Sequence, residues 1–191
     1  MKELIDLAKR ILQNPADADA HLSAFASRYT FPIVNEQRAT FFYWDNEHVE
    51  DVQLMHWISG LESSQSFRRL PKTNAFWLTV DLPQAARVEY KLCVTKGGNR
   101  YWMRDPRNPE RAFDPFGSNS VCCMPGYANP EWTNPDPRTQ GGRLESFTVG
   151  PGIYDDKREI QMYLPREYKP EKSYPLLICH DGRDYQRFSS I

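Results

Sequence analysis

The 191-residue sequence is 40% hydrophobic and 13% aromatic, enough to bury one core or somewhat more, which excludes disorder of the chain as a whole. Lysine and arginine number 24 against 25 aspartate and glutamate, so no net field selects nucleic acid or an anionic membrane surface. Charges interrupt the apolar pattern of MKELIDLAKRILQ, and no run approaches the roughly 18 apolar residues of a membrane span, so the chain reads as cytoplasmic without a signal peptide.

Leu4, Leu7, Ala8, Ile11 and Leu12 recur at helical spacing, and Asn14-Pro15 ends that helix. A second helix is expected over about 17 to 28, with Leu22, Phe25 and Tyr29 on one side. Residues 1–30 thus read as a helical lead-in packed on the next domain. From Arg38 the period changes to two: ATFFYWD, VEDVQLMHWIS, AFWLTVDL and ARVEYKLCVTKGGNRYWMRD alternate large apolar and polar side chains. Gly97-Gly98-Asn99 makes a hairpin turn, and SVCCM adds a last strand before Pro125-Gly126. Short strands without intervening helices predict an antiparallel β-sandwich over 31–125.

Trp44, Trp57, Trp77 and Trp102 all fall in these alternating strands, where core packing is the expected fate. Cys93, Cys122, Cys123 and Cys179 sit in apolar runs without C-x-x-C spacing and read as buried reduced thiols. Cys122 and Cys123 are adjacent and point to opposite faces, which makes a shared metal awkward. His21, His48, His56 and His180 are scattered, so they read as structural or surface histidines; no metal site and no cofactor is expected.

Residues 126–143, rich in Pro, Asn and Gly, form a linker whose Trp132 is the more exposed indole. Beyond it, over 144–191, come LESFTVG, REIQMYLP and PLLIC. The first two alternate like antiparallel edge strands, whereas the third is apolar on both faces, like a central strand covered by helices. That order predicts the opening of an α/β sheet.

Serine hydrolysis on such a sheet needs G-x-S-x-G at a strand-to-helix turn, and the sequence contains none. Gly117-Ser118-Asn119-Ser120 comes nearest but lacks the spacing. The loop His180-Asp181-Gly182-Arg183-Asp184 is a candidate for one backbone donor of an oxyanion hole, at Gly182 or Arg183, where a glycine would let the backbone approach a substrate. A plain tight turn accounts for the same residues equally well. Arg68-Arg69 and the set Arg104, Arg107 and Arg111 could face an anionic substrate across the domain junction, or be solvated loop charges.

Arg158 to Pro165, Tyr168, Tyr174-Pro175 and Leu176 to Gly182 resemble the start of the hydrolase domain in the esterase family that includes enterochelin esterase and esterase D. YKLCVTKGGNRYWMRDPRNPERAFDPFGSNSVCCMPGY is similar to the early-set, immunoglobulin-like domain preceding it, most tellingly at Asp105-Pro106-Arg107-Asn108-Pro109 and Asn119-Ser120-Val121. The two matches span roughly 38–182, in the family's order. The resemblance implies a mainly β chain: a helical lead-in, an early-set sandwich and the first strands of an α/β-hydrolase sheet. It implies a serine acyl-enzyme route acting on a small-molecule carboxylic ester, siderophore esters being one class, with no cofactor, nucleic acid or membrane partner. Arg107, Arg111 and Trp132 are the candidate substrate-binding side chains, and Gly182 and Arg183 the oxyanion-side amides. Arg183-Asp184-Tyr185 stands where enterochelin esterases tend to carry a Gln and an aromatic residue, so the resemblance does not fix the ester. No triad member is present; the chain is expected to be inert by itself, to end at a truncation boundary, and to leave strand edges open to homo-oligomer pairing. The early-set fold also occurs in glycogen-binding modules, so a non-catalytic carbohydrate or partner-binding module is the alternative.

Overall fold

The computed structural model describes residues 2–134, 136, 138, 140–152 and 155–188, apart from the side chain of Trp132. The chain divides into two compact units, Met1–Ala128 and Asn129–Ile191.

In the first unit, α1 (Lys2–Gln13) buries Leu4, Leu7 and Ile11. The Asn14 amide closes its last turn on the Arg10 carbonyl at 3.0 Å. Pro15–Asp17 then form a 3-10 turn into α2 (Ala18–Arg28), which buries Ala18, Leu22 and Phe25. Ten strands follow: β1 (Ile33–Asn35), β2 (Arg38–Trp44), β3 (Asp51–His56), β4 (Ser64–Ser66), β5 (Arg68–Arg69), β6 (Ala75–Asp81), β7 (Arg87–Lys96), β8 (Asn99–Met103), β9 (Arg111–Asp114) and β10 (Gly117–Cys123). They make a four-stranded sheet, β1-β2-β6-β5, and a six-stranded sheet, β4-β3-β7-β10-β9, in which β8 also pairs with β7. Every pairing is antiparallel. The β7–β8 hairpin turns at Gly97 and Gly98, whose φ of +54° and +74° are the paired positive values of a type I′ turn.

Pleat alternation sorts the side chains into two cores. Ala39, Phe41 and Tyr43 of β2 meet Val52 and Leu54 of β3 and Tyr90, Leu92 and Val94 of β7 between the sheets. Phe42, on the opposite face of β2, packs with Leu4, Leu7, Ile11, Leu22 and Phe25 of the helices, and partly buried Trp44 and Trp77 join them. The four-stranded sheet is therefore covered on both faces, by the other sheet and by the helical lead-in. The six-stranded sheet packs through one face only within this unit.

Two expectations are corrected. Trp44 and Trp77 are packed, but Trp57 and Trp102 are 90% and 58% exposed because they project from the open face. Cys93 and Cys122 are buried free thiols, whereas Cys123 and Cys179 are exposed. Burial in apolar surroundings pushes the Cys122 thiol up to about 12.

The second unit is built differently. β11 (Arg143–Val149) and β12 (Arg158–Leu164) pair antiparallel along their full length, from Arg143 opposite Leu164 to Val149 opposite Arg158. Leu164 is its one buried residue among those described. Pro175–Cys179, expected as a central strand, forms no ladder, and Leu176, Leu177 and Ile178 are 80%, 76% and 74% exposed. An apolar run becomes a strand only where neighbouring backbone completes its hydrogen bonds, and no described residue does so here. The chain then enters α3 (Gly182–Phe188). No helix among the described residues is long and apolar enough to cross a membrane.

Candidate functional site

The loop from Arg104 to Glu110 is organised by buried polar groups. Asp105 and Asn108 are 1% and 4% exposed, and Ser120 is fully buried. The Asp105 amide donates to Ser120 Oγ at 2.9 Å, while its carboxylate accepts the Tyr90 hydroxyl at 2.8 Å and the Arg107 amide at 2.9 Å. Asn108 Nδ2 donates to Tyr90 Oη at 3.0 Å and to the Val121 carbonyl at 2.7 Å, and Asn108 Oδ1 accepts the Glu110 amide at 2.9 Å. Asp105-Pro106-Arg107-Asn108-Pro109 and Asn119-Ser120-Val121 thus meet directly, at Asp105–Ser120 and Asn108–Val121, while Tyr90 ties Asp105 to Asn108. Burial raises the Asp105 carboxyl above its ordinary range although the Arg107 amide, the Tyr90 hydroxyl and the Arg107 charge pull it down.

This frame fixes the backbone of Arg107. Its guanidinium lies 5.1 Å from the centre of the Trp44 ring, and its Nε is buried without a hydrogen-bond partner in the protein. Arg111 is on β9 opposite Ser120, exposed, with its guanidinium 5.9 Å from the Phe113 ring centre. The two arginines therefore stack on different rings. Trp132 belongs to the 3-10 turn Glu131–Thr133, and its side chain lies outside the described residues. Arg68 and Arg69 are also stacked, over Trp77 at 5.7 Å and Phe76 at 4.5 Å, and Arg69 Nη2 donates to the Val49 and Glu50 carbonyls. Those contacts make Arg69 a brace between loops.

In the second unit the helix-opening loop has a simple geometry. Asp181 takes the left-handed conformation, φ +54°, and its carbonyl accepts the amides of Asp184 at 2.9 Å and Tyr185 at 3.3 Å. Gly182 and Arg183 supply the preceding amides, which α3 itself leaves unpaired. The positive φ of this turn falls on Asp181, and a Cβ built on Gly182 meets nothing within 4 Å. Arg183 Nη2 reaches Glu159 of β12 at 2.9 Å, tying α3 to the hairpin. The loop before it is held by Tyr174, whose hydroxyl accepts the Lys169 amide at 2.9 Å and whose ring lies 5.2 Å from that of Tyr168.

His56 is a buried structural histidine. The Ile58 amide donates to its Nδ1 at 3.1 Å, and Gln65 meets Nε2 at 3.2 Å. With Nδ1 accepting, the neutral ring carries its proton on Nε2 and needs the amide oxygen of Gln65 there. Burial lowers its pKa. No group of three or more His, Cys, Asp and Glu among the described residues is placed to hold a metal ion. A cleft of about 360 Å³ between α1 and α2 is lined by charges of both signs, including Asp6, Arg10 and Arg28, and by His21, but by none of Arg107, Arg111, Trp132, Gly182 and Arg183.

No protein-family model and no curated protein matches the chain. Among solved structures it is similar to the ferric enterobactin esterase of Salmonella typhimurium, at 16% identity and a TM-score of 0.54, over 73% of this chain and 45% of that one. Enterochelin esterase from Shigella flexneri, at 16% identity, aligns over 72% of this chain and 44% of its own with a TM-score of 0.49. Pullulanase from Anoxybacillus sp. LM18-11, at 17% identity, aligns over 59% and 15% with a TM-score of 0.40. The first of these shows a shared fold; the other two, below 0.5, carry no argument. The chain thus spans under half the length of the esterases it resembles.

Proposed function

We propose that the chain is the N-terminal portion of a cytoplasmic serine esterase hydrolysing carboxylic esters, in which the sandwich assists substrate binding or domain packing. The fold likeness to ferric enterobactin esterase carries this reading. The order of the two matching stretches, sandwich then hydrolase opening, supports it. In that role the Gly182 and Arg183 amides would hold the oxyanion of a tetrahedral intermediate, while the nucleophile, base and acid come from sequence beyond Ile191. Siderophore esters are one substrate class within the reading.

The test is to express the chain with the coding sequence that follows it, and to compare both forms with a fluorophosphonate probe and an aryl acetate. Labelling and turnover in the longer form only are expected. A longer form that neither labels nor turns over overturns the reading, and labelling of the 191-residue chain overturns its inertness.

A second reading, a carbohydrate-binding module, is favoured by the exposure of Trp57 and Trp102, since sugar rings stack their C–H faces on indole. Binding of a neutral oligosaccharide by the chain discriminates it from the first.

A further inference from the structure

We propose that Asp181-Gly182 is a site of spontaneous covalent modification, at which the peptide link migrates from the main-chain carbonyl of Asp181 to its side-chain carboxyl and leaves an isoaspartate. The inference goes beyond the esterase reading and does not depend on it.

The step needs an aspartate followed by a residue with no side chain to crowd its amide, and nowhere else in the sequence does aspartate or asparagine precede glycine. The structure leaves both reacting groups unoccupied. Among the described residues the Asp181 carboxylate has no hydrogen bond or ion pair, and the Gly182 amide has no acceptor. Both residues are exposed, and a Cβ built on Gly182 meets nothing within 4 Å, so the amide nitrogen can swing toward Cγ without displacing a neighbour. Their unit buries only Leu164 among its described residues. Opening the first turn of α3 therefore costs little, and ring closure draws on the open form.

The atoms balance with water as the sole co-reactant. The Gly182 nitrogen bonds to Asp181 Cγ, while the amide proton, a proton from solvent and one carboxylate oxygen leave as water and a cyclic imide closes. Water then adds to the former main-chain carbonyl carbon and breaks its bond to nitrogen, which stays on Cγ; one proton returns to solvent, and nothing is oxidised or reduced. The old main-chain carbonyl becomes a free carboxylate. That carbonyl is the acceptor for the Asp184 and Tyr185 amides, at 2.9 and 3.3 Å. Isomerisation thus displaces the group on which the first turn of α3 closes.

Asn119-Ser120 is the protected counterpart, an amide followed by a small residue. Asn119 Nδ2 donates to Glu89 and Asp114 at 2.9 and 3.0 Å, and both residues lie in β10, paired with β9. The same ring closes there only if the sheet breaks. Asp105, Asp114 and Asp136 precede proline, which has no amide proton to give.

The test stores the full 191-residue chain and the free peptide Ser173–Arg183 at neutral pH in heavy-oxygen water, then counts isoaspartate in the tryptic fragment of that span by electron-transfer fragmentation. Isoaspartate carrying one heavy oxygen is expected at Asp181, forming at a rate within about threefold of the free peptide's. Hydrogen exchange at Asp184 and Tyr185 is expected to rise with the isomerised fraction. Gly182→Val crowds the attacking amide and is expected to slow the reaction about tenfold or more. Asp181→Asn releases ammonia in place of water at the same ring closure and is expected to react faster. A folded chain slower than its free peptide by more than about threefold, with the native sequence or with Asp181→Asn, overturns the inference, because the fold then protects the site. Isoaspartate forming equally at Asn119 overturns the claim that the fold selects it.

Discussion

The two units contain similar apolar strands and use them in opposite ways. In Met1–Ala128 nearly every large apolar residue of β2, β3 and β7 is buried in one of two clusters that share a sheet. In Asn129–Ile191 the face of β11–β12 carrying Phe147, Val149, Ile160 and Met162 stays about 40% exposed at each of those positions. An isolated two-stranded ribbon buries too little to be stable alone, whereas a sheet covered on both faces needs no further partner. Alternating apolar residues therefore create a demand for burial, and the layers stacked on the strand determine whether it is met.

The sharpest way to break this comparison is to truncate the same kind of side chain in each unit. Phe42→Ala should cost about 3–5 kcal/mol in chemical denaturation, because Phe42 packs with Phe25 and Phe31 between helices and sheet. Ile160→Ala should leave that transition unmoved; a comparable loss would mean that both units fold as one. Asp105→Ala should cost about 1–3 kcal/mol by stranding the Tyr90 hydroxyl and the Arg107 amide, and a melt unchanged by it would remove the loop network from the first unit's stability.

Smaller effects sharpen the contrast. His56 has a lowered folded pKa, so it binds fewer protons folded than unfolded; its contribution is present above the ordinary value of 6.5 and is lost as pH falls below it. His56→Asn, which keeps an acceptor for the Ile58 amide, should flatten the fall in stability on acidification below about pH 6.5, measured by melts at stepped pH. Asp45 adds a second acid limb. Burial opposes its charge, but Lys96, the Glu47 amide and the Tyr43 hydroxyl outweigh that and hold it at about 2, so its contribution disappears only as pH falls from the usual carboxylate range toward that value. The smallest effect on the melt is expected from Gly142→Ala. A Cβ there would lie 1.9 Å from the Leu164 carbonyl oxygen, so hydrogen exchange at the Arg143 end of the β11–β12 hairpin should rise while the main transition stays put.

Long alternating strands were legible from the sequence: β2, β3, β6, β7 and β10 fall where the period of two places them. β1, β4, β5 and β9 were not, because two to four residues carry no measurable period and pair only when a neighbour presents an edge. The tryptophans show the same limit. Parity assigns a residue to a face, but whether a further layer covers that face is a property of the whole fold; Trp77 lies under the helices and Trp102 under nothing in its unit. At the loop that opens α3 nothing in the sequence marked Asp181 as the left-handed residue, because that conformation depends on how the chain enters the helix.

Pro175–Cys179 has one more consequence, in the test tube. An apolar run that pairs with no described strand and holds Leu176, Leu177 and Ile178 in water is the type of segment that seeds cross-β growth, and Pro175 guards only its leading end. Shelf life at high concentration should therefore be governed by these five residues and not by the melting temperature of the sandwich, and a lysine at Leu177 would extend it without touching either core.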